Sequence, residues 1–400
     1  MTSISSNTPG VQNNPLKGIT DRIKETPAQE IKPKDFVPLP GFKIEDNPQF
    51  NLVMTAEVDP NMMSFPDEPN ATPKTYKSAL TAYADPGDDT PGLASQEVLR
   101  QKLGVDDKWK GAEAIKGLSD QLAPTGVGGA QYADVLRDLA KIKERHGLAT
   151  ANTVAKTLQD FLSRNQPDDG VNAKQLVRNA LGDMAYPSNI DQANKGTCAA
   201  TAVQMKWALE KPTTYAQALT QLGEGKTYTT TGGDPLPPND TWKNDTNDDR
   251  NFSARIMQNA LMDLGNNVGV DQTYNSKADQ NESFWNDYSG LYSDDTNYAL
   301  GEVMGADYQV DSMYSGSGLY SYVEDEVARG RSAVISFKGH AVLVTGIDKK
   351  NDQVIINTWG EQYTMPIDDF KKYVQSAISI DDWGWDDKTT PANTVTEVTH

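Results

Sequence analysis

Apolar residues between positions 93 and 186 recur every three or four residues, which is the spacing of the buried stripe of an amphipathic helix. In the second of four such segments, Val135, Leu136, Leu139 and Ile142 form the stripe, and Gly147 ends it. The four segments are SQEVLRQKLG, YADVLRDLAKIKERHG, TANTVAKTLQDFLSR and NAKQLVRNALGDM. They predict a helical domain over residues 93–186.

Residues 1–92 and 381–400, at the two ends of the chain, show no such period. Residues 1–45 are rich in Ser, Thr, Asn and Pro, which predicts a flexible polar tail. Residues 46–92 scatter apolar groups between prolines and predict an extended or irregular segment. Residues 381–400 are polar and predict a loose C-terminal tail.

The segment 187–380 combines helical and strand patterns and is predicted to be a second domain. Helical spacing returns in CAATAVQMKWALEK, which Pro212 ends, and in SARIMQNALMDLG. Residues 223–251 lack a period and predict a long surface loop. Beyond 332, the β-branched runs SAVISF, AVLVTGI and QVIINT predict a meander of three antiparallel strands.

Composition narrows the classes of partner. The 400 residues carry a formal charge of −19, which argues against nucleic acid or an anionic membrane surface as the main partner. No run of eighteen apolar residues occurs, so no membrane span is predicted. The first twenty residues have neither a basic nor an apolar region, so we expect no classical signal peptide. Cytoplasmic residence, or export without a signal peptide, is the corresponding expectation.

The single cysteine is the first candidate for chemistry. Cys198 follows Gly196 and Thr197 and opens a helical pattern, so we expect the thiol at a helix N-terminus, where the helix dipole favours a thiolate. A small buried side chain is the alternative for such a cysteine. One cysteine excludes both a disulfide within the chain and a zinc site built from cysteine pairs.

A cysteine nucleophile needs a base, and the chain has three histidines. His146 ends a charged helix and His400 is the last residue, whereas His340 lies at the mouth of a predicted strand. Asn357 ends the next strand, within two residues of facing His340 if the two strands form a hairpin. An amide-to-imidazole hydrogen bond would then orient the ring.

Two further residues complete this candidate site. Gln192 lies six residues before Cys198, where its side-chain N–H and the backbone N–H of Cys198 are suited to hold an oxyanion. Trp359 follows Asn357 by two residues and is expected to cover the imidazole–amide bond. An ordinary solvated glutamine is the alternative for Gln192.

The motifs that carry these residues resemble those of the papain-like cysteine peptidases. QANKGTC resembles the family's Gln-x5-Cys element, GHAVLVTGI its His-Ala-Val strand, and NTWG its Asn-Ser-Trp-Gly. Cys198 and His340 are 142 residues apart, within the interval of roughly 130–150 typical of the family. The resemblance covers about residues 187–375, a little under half of the chain.

The resemblance implies an α+β fold with two lobes, preceded by a mostly helical N-terminal region. A helical lobe would carry Cys198 as nucleophile, and an antiparallel β lobe would carry His340 as general acid and base. Asn357 would orient the histidine, and Gln192 would complete the oxyanion hole. The implied activity is that of a cysteine endopeptidase that acts on proteins or peptides without a cofactor.

The sequence also departs from the family. The second cysteine and the tryptophan that usually follow the nucleophile are replaced in GTCAATA, and NTWG is followed by EQYTMPIDDFKKYV instead of a glycine-rich stretch. No substrate-pocket residue is therefore transferred. A deamidase or transglutaminase acting on a partner protein, and an inert papain-like binding module, are the alternative functions. Residues 93–186 would block the cleft, recognise a partner or support the fold.

One acidic segment invites comparison with a metal site. DTNDDRN, at 245–251, spaces its carboxylates like the start of a calcium loop. It lacks the glycine at the sixth position, and Ile256 stands where the twelfth-position glutamate belongs. We therefore predict no metal and interpret the segment as a solvated acidic loop.

Overall fold

A computed structural model describes residues 45–46, 52–53, 100–122, 130–266, 273–282, 289–312, 315–337 and 340–380. The predicted tails, apart from Glu45, and most of the predicted irregular segment 46–92 lie outside these ranges. So do residues 95–99 of the first predicted helix, of which residues 100–103 are helical.

The helices of the described ranges form two groups along the chain. The first is α1 (Glu113–Leu122), α2 (Ala130–Arg164) and α3 (Ala173–Ala185). The second is α4 (Cys198–Glu210), α5 (Pro212–Leu222), α6 (Phe252–Asn266), α7 (Ser293–Met304), α8 (Gly316–Ala328) and α9 (Ile367–Tyr373). Short 3-10 turns occur at Pro187–Asn189 and Asp240–Asn244.

The strands of the described ranges form one large sheet and two hairpins. The hairpins pair β3 (Tyr228–Thr229) with β4 (Pro235–Leu236) and β5 (Thr273–Asn275) with β6 (Gln280–Glu282). The sheet contains β1 (Glu45–Asp46), β2 (Leu52–Val53), β7 (Tyr308–Asp311), β8 (Ala333–Phe337), β9 (His340–Asp348), β10 (Gln353–Thr358), β11 (Glu361–Pro366) and β12 (Val374–Ile380).

The helical patterns of the N-terminal half are largely confirmed. Gly147, with φ 80° and ψ 166°, breaks α2 where the sequence predicts one helix to end and another to begin. The sequence did not predict α1, although Ile115, Leu118 and Leu122 give it a buried stripe. It also missed α5, because Pro212 both follows α4 and occupies the first turn of the next helix, where its missing N–H costs nothing.

One continuous core joins the helices. The buried cluster contains side chains of α1 to α7, and α3 packs against both α4 and α6 while α2 packs against α5. The core therefore runs across the predicted domain boundary at 186/187, and that boundary stays a prediction. The protein combines helices and a sheet in one α+β structure.

The sheet has the order β1-β2-β11-β10-β9-β8-β12-β7 and is antiparallel except where β2 pairs with β11. The predicted meander is confirmed as β8, β9 and β10. Leu343 of β9 and Val334 of β8 point into the core shared with α4, whereas Val342 and Val344 point to the cluster that contains α8 and α9. Helices thus cover both faces of the sheet.

Helix α4 lies along β8 and β9 with a fixed direction. Its last residue, Glu210, accepts hydrogen bonds from the backbone N–H and the hydroxyl of Ser332, which directly precedes β8. Thirteen helical residues span about 20 Å, and the five steps from Ser332 to Phe337 span about 17 Å. The start of α4 therefore lies where β8 ends and β9 begins.

The segment 223–251 is not the surface loop that the sequence predicts. It contains the β3–β4 hairpin and a 3-10 turn, and its last part is buried at Asp245, Asp248 and Arg250. Within the described ranges, no helix has both the length and the apolar character needed to cross a lipid bilayer.

Candidate active site

Cys198 is the first residue of α4 and is partly exposed. Thr197, which precedes it, makes no side-chain capping hydrogen bond to the helix. Its hydroxyl instead donates to Oε1 of Gln258 in α6, at 2.8 Å. A threonine here would ordinarily satisfy one of the leading amides of the helix, so this helix start lacks its usual cap beside the thiol.

The loop before Cys198 holds Gln192 in a fixed position. Its Nε2 donates to the backbone carbonyl of Lys195 at 2.7 Å, and the side chain is buried. Asp191 accepts from the backbone N–H of Ala193 at 2.8 Å, across a turn in which Ala193 adopts φ 51°. One of the two N–H groups of the Gln192 amide is thus used within the loop, and the second is the one suited to an oxyanion.

Buried ion pairs support this loop from behind. Lys195 Nζ lies 2.5 Å from Asp245 and donates to the carbonyl of Ser276 at 2.9 Å. The guanidinium of Arg250 contacts both carboxylate oxygens of Asp248, at 2.9 and 2.7 Å, with both side chains fully buried. Burial alone would raise the pKa of Asp248, but the hydrogen bonds and charge of Arg250 outweigh it and hold the pKa below its ordinary value.

These contacts correct the prediction for residues 245–251. We interpreted DTNDDRN as a solvated acidic loop, yet Asp245 and Asp248 are buried and paired with cations. Buried carboxylates require such partners, and Lys195 lies fifty residues away in the sequence, where no local pattern reveals it. In the part of the chain that the structure describes, no cluster of three or more His, Cys, Asp or Glu side chains is arranged to hold a metal ion.

Asp279, in the turn between β5 and β6, fixes the residue two before the thiol. Both of its carboxylate oxygens accept from the backbone N–H of Gly196, at 2.9 and 3.0 Å, and Oδ1 also accepts from the Tyr274 hydroxyl at 2.7 Å. The amide of Gly196 is therefore already occupied. Of the groups near Cys198, the second N–H of Gln192 and the leading amides of α4 remain the candidates to hold an anion.

His340 is the first residue of β9 and is only 4% exposed. Its Nε2 lies 2.8 Å from Oγ1 of Thr358, and its ring stacks on Trp359 with 4.1 Å between centroids and 13° between planes. Burial lowers the pKa of His340 to about 3, so the imidazole is neutral near pH 7. Trp359 thus lies over the imidazole ring.

The residue that orients His340 differs from the prediction. Asn357 pairs with Leu343 and accepts from Gln362 at 3.1 Å, so its side chain lies on the sheet face that packs on α4. His340 pairs with Phe337, on the other face. Thr358, the neighbour of Asn357, shares that face and contacts the imidazole. Thr358 therefore takes the position that the sequence assigned to Asn357.

A β-bulge explains this correction. Val344 pairs with Ile356 and Gly346 with Ile355, so Thr345 is an extra residue in β9. Without it, Asn357 and His340 would lie on the same face, as a regular hairpin requires. One inserted residue reverses the alternation of the strand beyond it.

The loop before Cys198 and the turn after Trp359 are packed together. A Cβ placed on Gly360 would lie 3.1 Å from the Asp191 side chain, and continuing the strand register puts Gly360 opposite His340. The carbonyl of Asp191 in turn accepts from Nε2 of Gln258, whose Oε1 accepts from Thr197. Cys198 and His340 thus lie towards the same end of the sheet, where β9 begins.

Backbone strain is concentrated around this end of the sheet. Six non-glycine residues of the described ranges have positive φ, and three of them are Ala193, Asp279 and Trp359. Ala193 follows Gln192, Trp359 stacks on His340, and Asp279 accepts from Gly196, two residues before Cys198. Conformations of this kind cost about 1–3 kcal/mol each and cluster at functional sites.

Sequence reasoning missed the residues that hold the site together. Thr358, Gln258, Lys195 and Asp279 reach it from four separate parts of the chain. Lys195 and Thr358 lie inside the motifs QANKGTC and NTWG, whereas Gln258 and Asp279 had no signal in the sequence. Comparison of the chain with protein-family models, curated proteins and solved structures finds no match.

We predict that His340 makes the protein acid-sensitive. Because the folded pKa is about 3 and the ordinary value is 6.5, the stability contribution is complete above pH 6.5 and is lost as the pH falls towards 3. Within this window the free energy of unfolding should fall by about 1.4 kcal/mol per pH unit. Urea denaturation of wild type and His340→Gln across the window measures this, and equal slopes would contradict the prediction. Asp183→Asn is a control of opposite sign, since burial raises the pKa of Asp183 from 3.8 to about 6 and its penalty grows as the pH rises.

We also predict that the ion pair behind the loop is essential to folding. Arg250→Met removes the direct ion pair of the buried Asp248 carboxylate, which keeps only Arg255 at 3.8 Å, and should cost about 3–5 kcal/mol in thermal or urea unfolding. Lys156→Met removes the exposed pair with Asp160 and should cost about 0.5 kcal/mol or less. Similar losses for the two variants would show that the buried pair has no special role.

Proposed function

We propose that the protein is a thiol-dependent acyl-transfer enzyme, a cysteine endopeptidase with a papain-like arrangement of two lobes. In this proposal, the helical lobe carries Cys198 and Gln192, and the antiparallel sheet carries His340 and Thr358. The observation that supports it most is that an uncapped helix begins at the only cysteine, at the end of the sheet where a buried neutral imidazole begins β9. No cofactor takes part.

The neutral state of His340 defines its first step. In the tautomer whose Nε2–H donates to Thr358, Nδ1 carries the lone pair that accepts the thiol proton while sulfur attacks the substrate carbonyl carbon. The imidazolium thus forms during attack and is absent from the resting enzyme. This differs from the standing thiolate–imidazolium pair that the family resemblance suggests, because burial opposes the charged ring.

The remaining steps return the enzyme to its starting state. The oxyanion of the tetrahedral intermediate accepts from the second N–H of Gln192 and from the backbone N–H of Cys198. His340 then gives its proton to the leaving nitrogen as the C–N bond breaks, which leaves a thioester on Cys198. Water, deprotonated by His340, attacks the thioester carbon, and the released sulfur takes the proton back.

A second candidate, deamidation or transamidation of a glutamine side chain, uses the same chemistry. It is favoured by the depth of the site, because His340, Gln192 and Thr358 are all buried while Cys198 is partly exposed. A site whose polar groups are buried admits the end of a side chain more readily than an extended main chain. Ammonia would then be the leaving group, and water or an amine would resolve the thioester. An inert binding module would have no need for this set of residues.

The test compares wild type with Cys198→Ala, each incubated with a complex proteome and followed by terminal-peptide mass spectrometry. We expect new peptide termini with wild type only. Conversion of glutamine to glutamate without new termini would replace proteolysis by deamidation. Identical proteomes, together with failure of a thiol-directed epoxide to label Cys198 at neutral pH, would refute the acyl-transfer proposal.

We further predict that Thr358 matters more than Asn357 for turnover. Thr358→Val removes the oxygen beside Nε2 and leaves the ring without its orienting partner, so the rate should fall roughly tenfold to a hundredfold. Asn357→Ala, on the opposite face, should have a much smaller effect. Turnover of a substrate found in the proteome experiment measures both. The reverse ranking would restore Asn357 as the orienting residue.

A further inference from the structure

Gln258 connects the two ends of the loop that leads to Cys198. It lies in α6 and is fully buried. Its Nε2 donates to the carbonyl of Asp191 at 3.1 Å, directly before Gln192, and its Oε1 accepts from the hydroxyl of Thr197 at 2.8 Å, directly before Cys198. A single rigid carboxamide therefore contacts the residues that precede the candidate oxyanion donor and the candidate nucleophile.

Two more hydrogen bonds fix the carboxamide itself. Nε2 also donates to Oε1 of Gln204 at 3.1 Å, and Oε1 also accepts from Nη1 of Arg250 at 3.1 Å. Arg250 is in turn held by Asp248. The orientation of Gln258 is thus fixed from both sides, so the amide cannot rotate without breaking buried bonds.

The contact with Thr197 has a direct consequence for α4. Thr197 has φ −100° and ψ 22°, not the extended backbone of a capping residue, and its hydroxyl points to Gln258. If that hydroxyl were released, a change in ψ would let it accept from the leading amides of α4. The bond to Gln258 prevents this and leaves those amides without a cap from Thr197.

We infer that Gln258 is a positioning residue, which fixes the conformation of the Gln192–Cys198 loop and keeps the Thr197 hydroxyl from capping α4. The inference rests on the proposed function, because it assigns Gln258 a role in presenting the same thiol. Gln258 acts through Thr197 and Asp191.

The charged groups around the start of α4 are each paired or hydrogen-bonded, and the nearby imidazole is neutral. Lys195 is paired with Asp245, Arg250 with Asp248, and Asp279 with the Gly196 amide, while Asp191 accepts from Ala193 and His340 is neutral. Of these groups only Arg250 also bonds to Gln258, through Nη1, and its ion pair with Asp248 uses Nε and Nη2 instead. A change in thiol reactivity then reports the capping state of α4.

The experiment measures the rate at which iodoacetamide alkylates Cys198 as a function of pH. Because Cys198 is the only cysteine, the signal is unambiguous in the full chain. Gln258→Met frees the Thr197 hydroxyl to cap the helix and should slow alkylation at neutral pH roughly fivefold, with the pH profile shifted upward. Adding Thr197→Val removes the hydroxyl and should restore most of the rate.

The restoration distinguishes positioning from loose packing. Two variants that merely loosen the loop would give additive losses, so a double variant as slow as Gln258→Met, or slower, overturns the inference. Gln204→Met is the matched control: it is also a buried glutamine of this network, but it contacts neither Thr197 nor Asp191. A loss equal to that of Gln258→Met would likewise overturn the inference.

A second variant covers the case in which Gln258→Met does not fold. Thr197→Asn introduces a stronger capping residue while Gln258 is intact, and it should also slow alkylation. An unchanged rate with a folded protein would overturn the inference. The outcome is separable from the proposed function. If the alkylation rates of the single and double variants agree with the inference but no substrate of Cys198 is found, only the proposed function is refuted. If Cys198→Ala abolishes turnover but the alkylation losses of Gln258→Met and Thr197→Val are additive, only the role of Gln258 is refuted.

Discussion

The packing of α4 along β8 and β9 determines where every residue of the candidate site lies. Apolar side chains of both elements share one core, and the bonds from Ser332 to Glu210 fix the direction of the helix. Because helix and strand have nearly equal lengths, clamping one end places the other end of each element together. Cys198 and His340, far apart in sequence, reach the same end of the sheet as a consequence of this single arrangement.

A buried polar network then sets the local geometry at that end. Gln258 and Lys195 donate hydrogen bonds that hold the loop before Cys198, Asp279 accepts one from Gly196, and ion pairs neutralise the buried charges. An apolar core of the same volume would often be as stable, since the desolvation of buried ions offsets much of their attraction. What the network adds is a defined loop conformation, including the positive φ of Ala193, that hydrophobic packing does not specify.

The sequence predicts the helices and strands that follow from hydrophobic periodicity, but not the features that depend on single side-chain contacts. The stripes of α2, α3 and α6 and the meander of β8 to β10 follow from spacing, so they were found. Asn357 lies on the face opposite to His340 because Thr345 forms a bulge, and one extra residue within a strand leaves no signal in the hydrophobic pattern. The burial of Asp245 and Asp248 was not predicted for another reason. An isolated acidic run is typical of a solvated loop, and only the ion pairs with Lys195 and Arg250 make burial possible.

The burial of His340 determines the pKa of its imidazole and therefore how the ring can act as a base. A general base works best when its pKa lies near the working pH, and a ring with a pKa of about 3 is far from that range. A negative charge that develops beside the ring favours its protonated form and raises that pKa. The proton then belongs to the sulfur–imidazole pair as a unit. His340 is therefore a useful base only next to an ionising group such as the Cys198 thiol, and without one its stacking and its bond to Thr358 would serve structure alone.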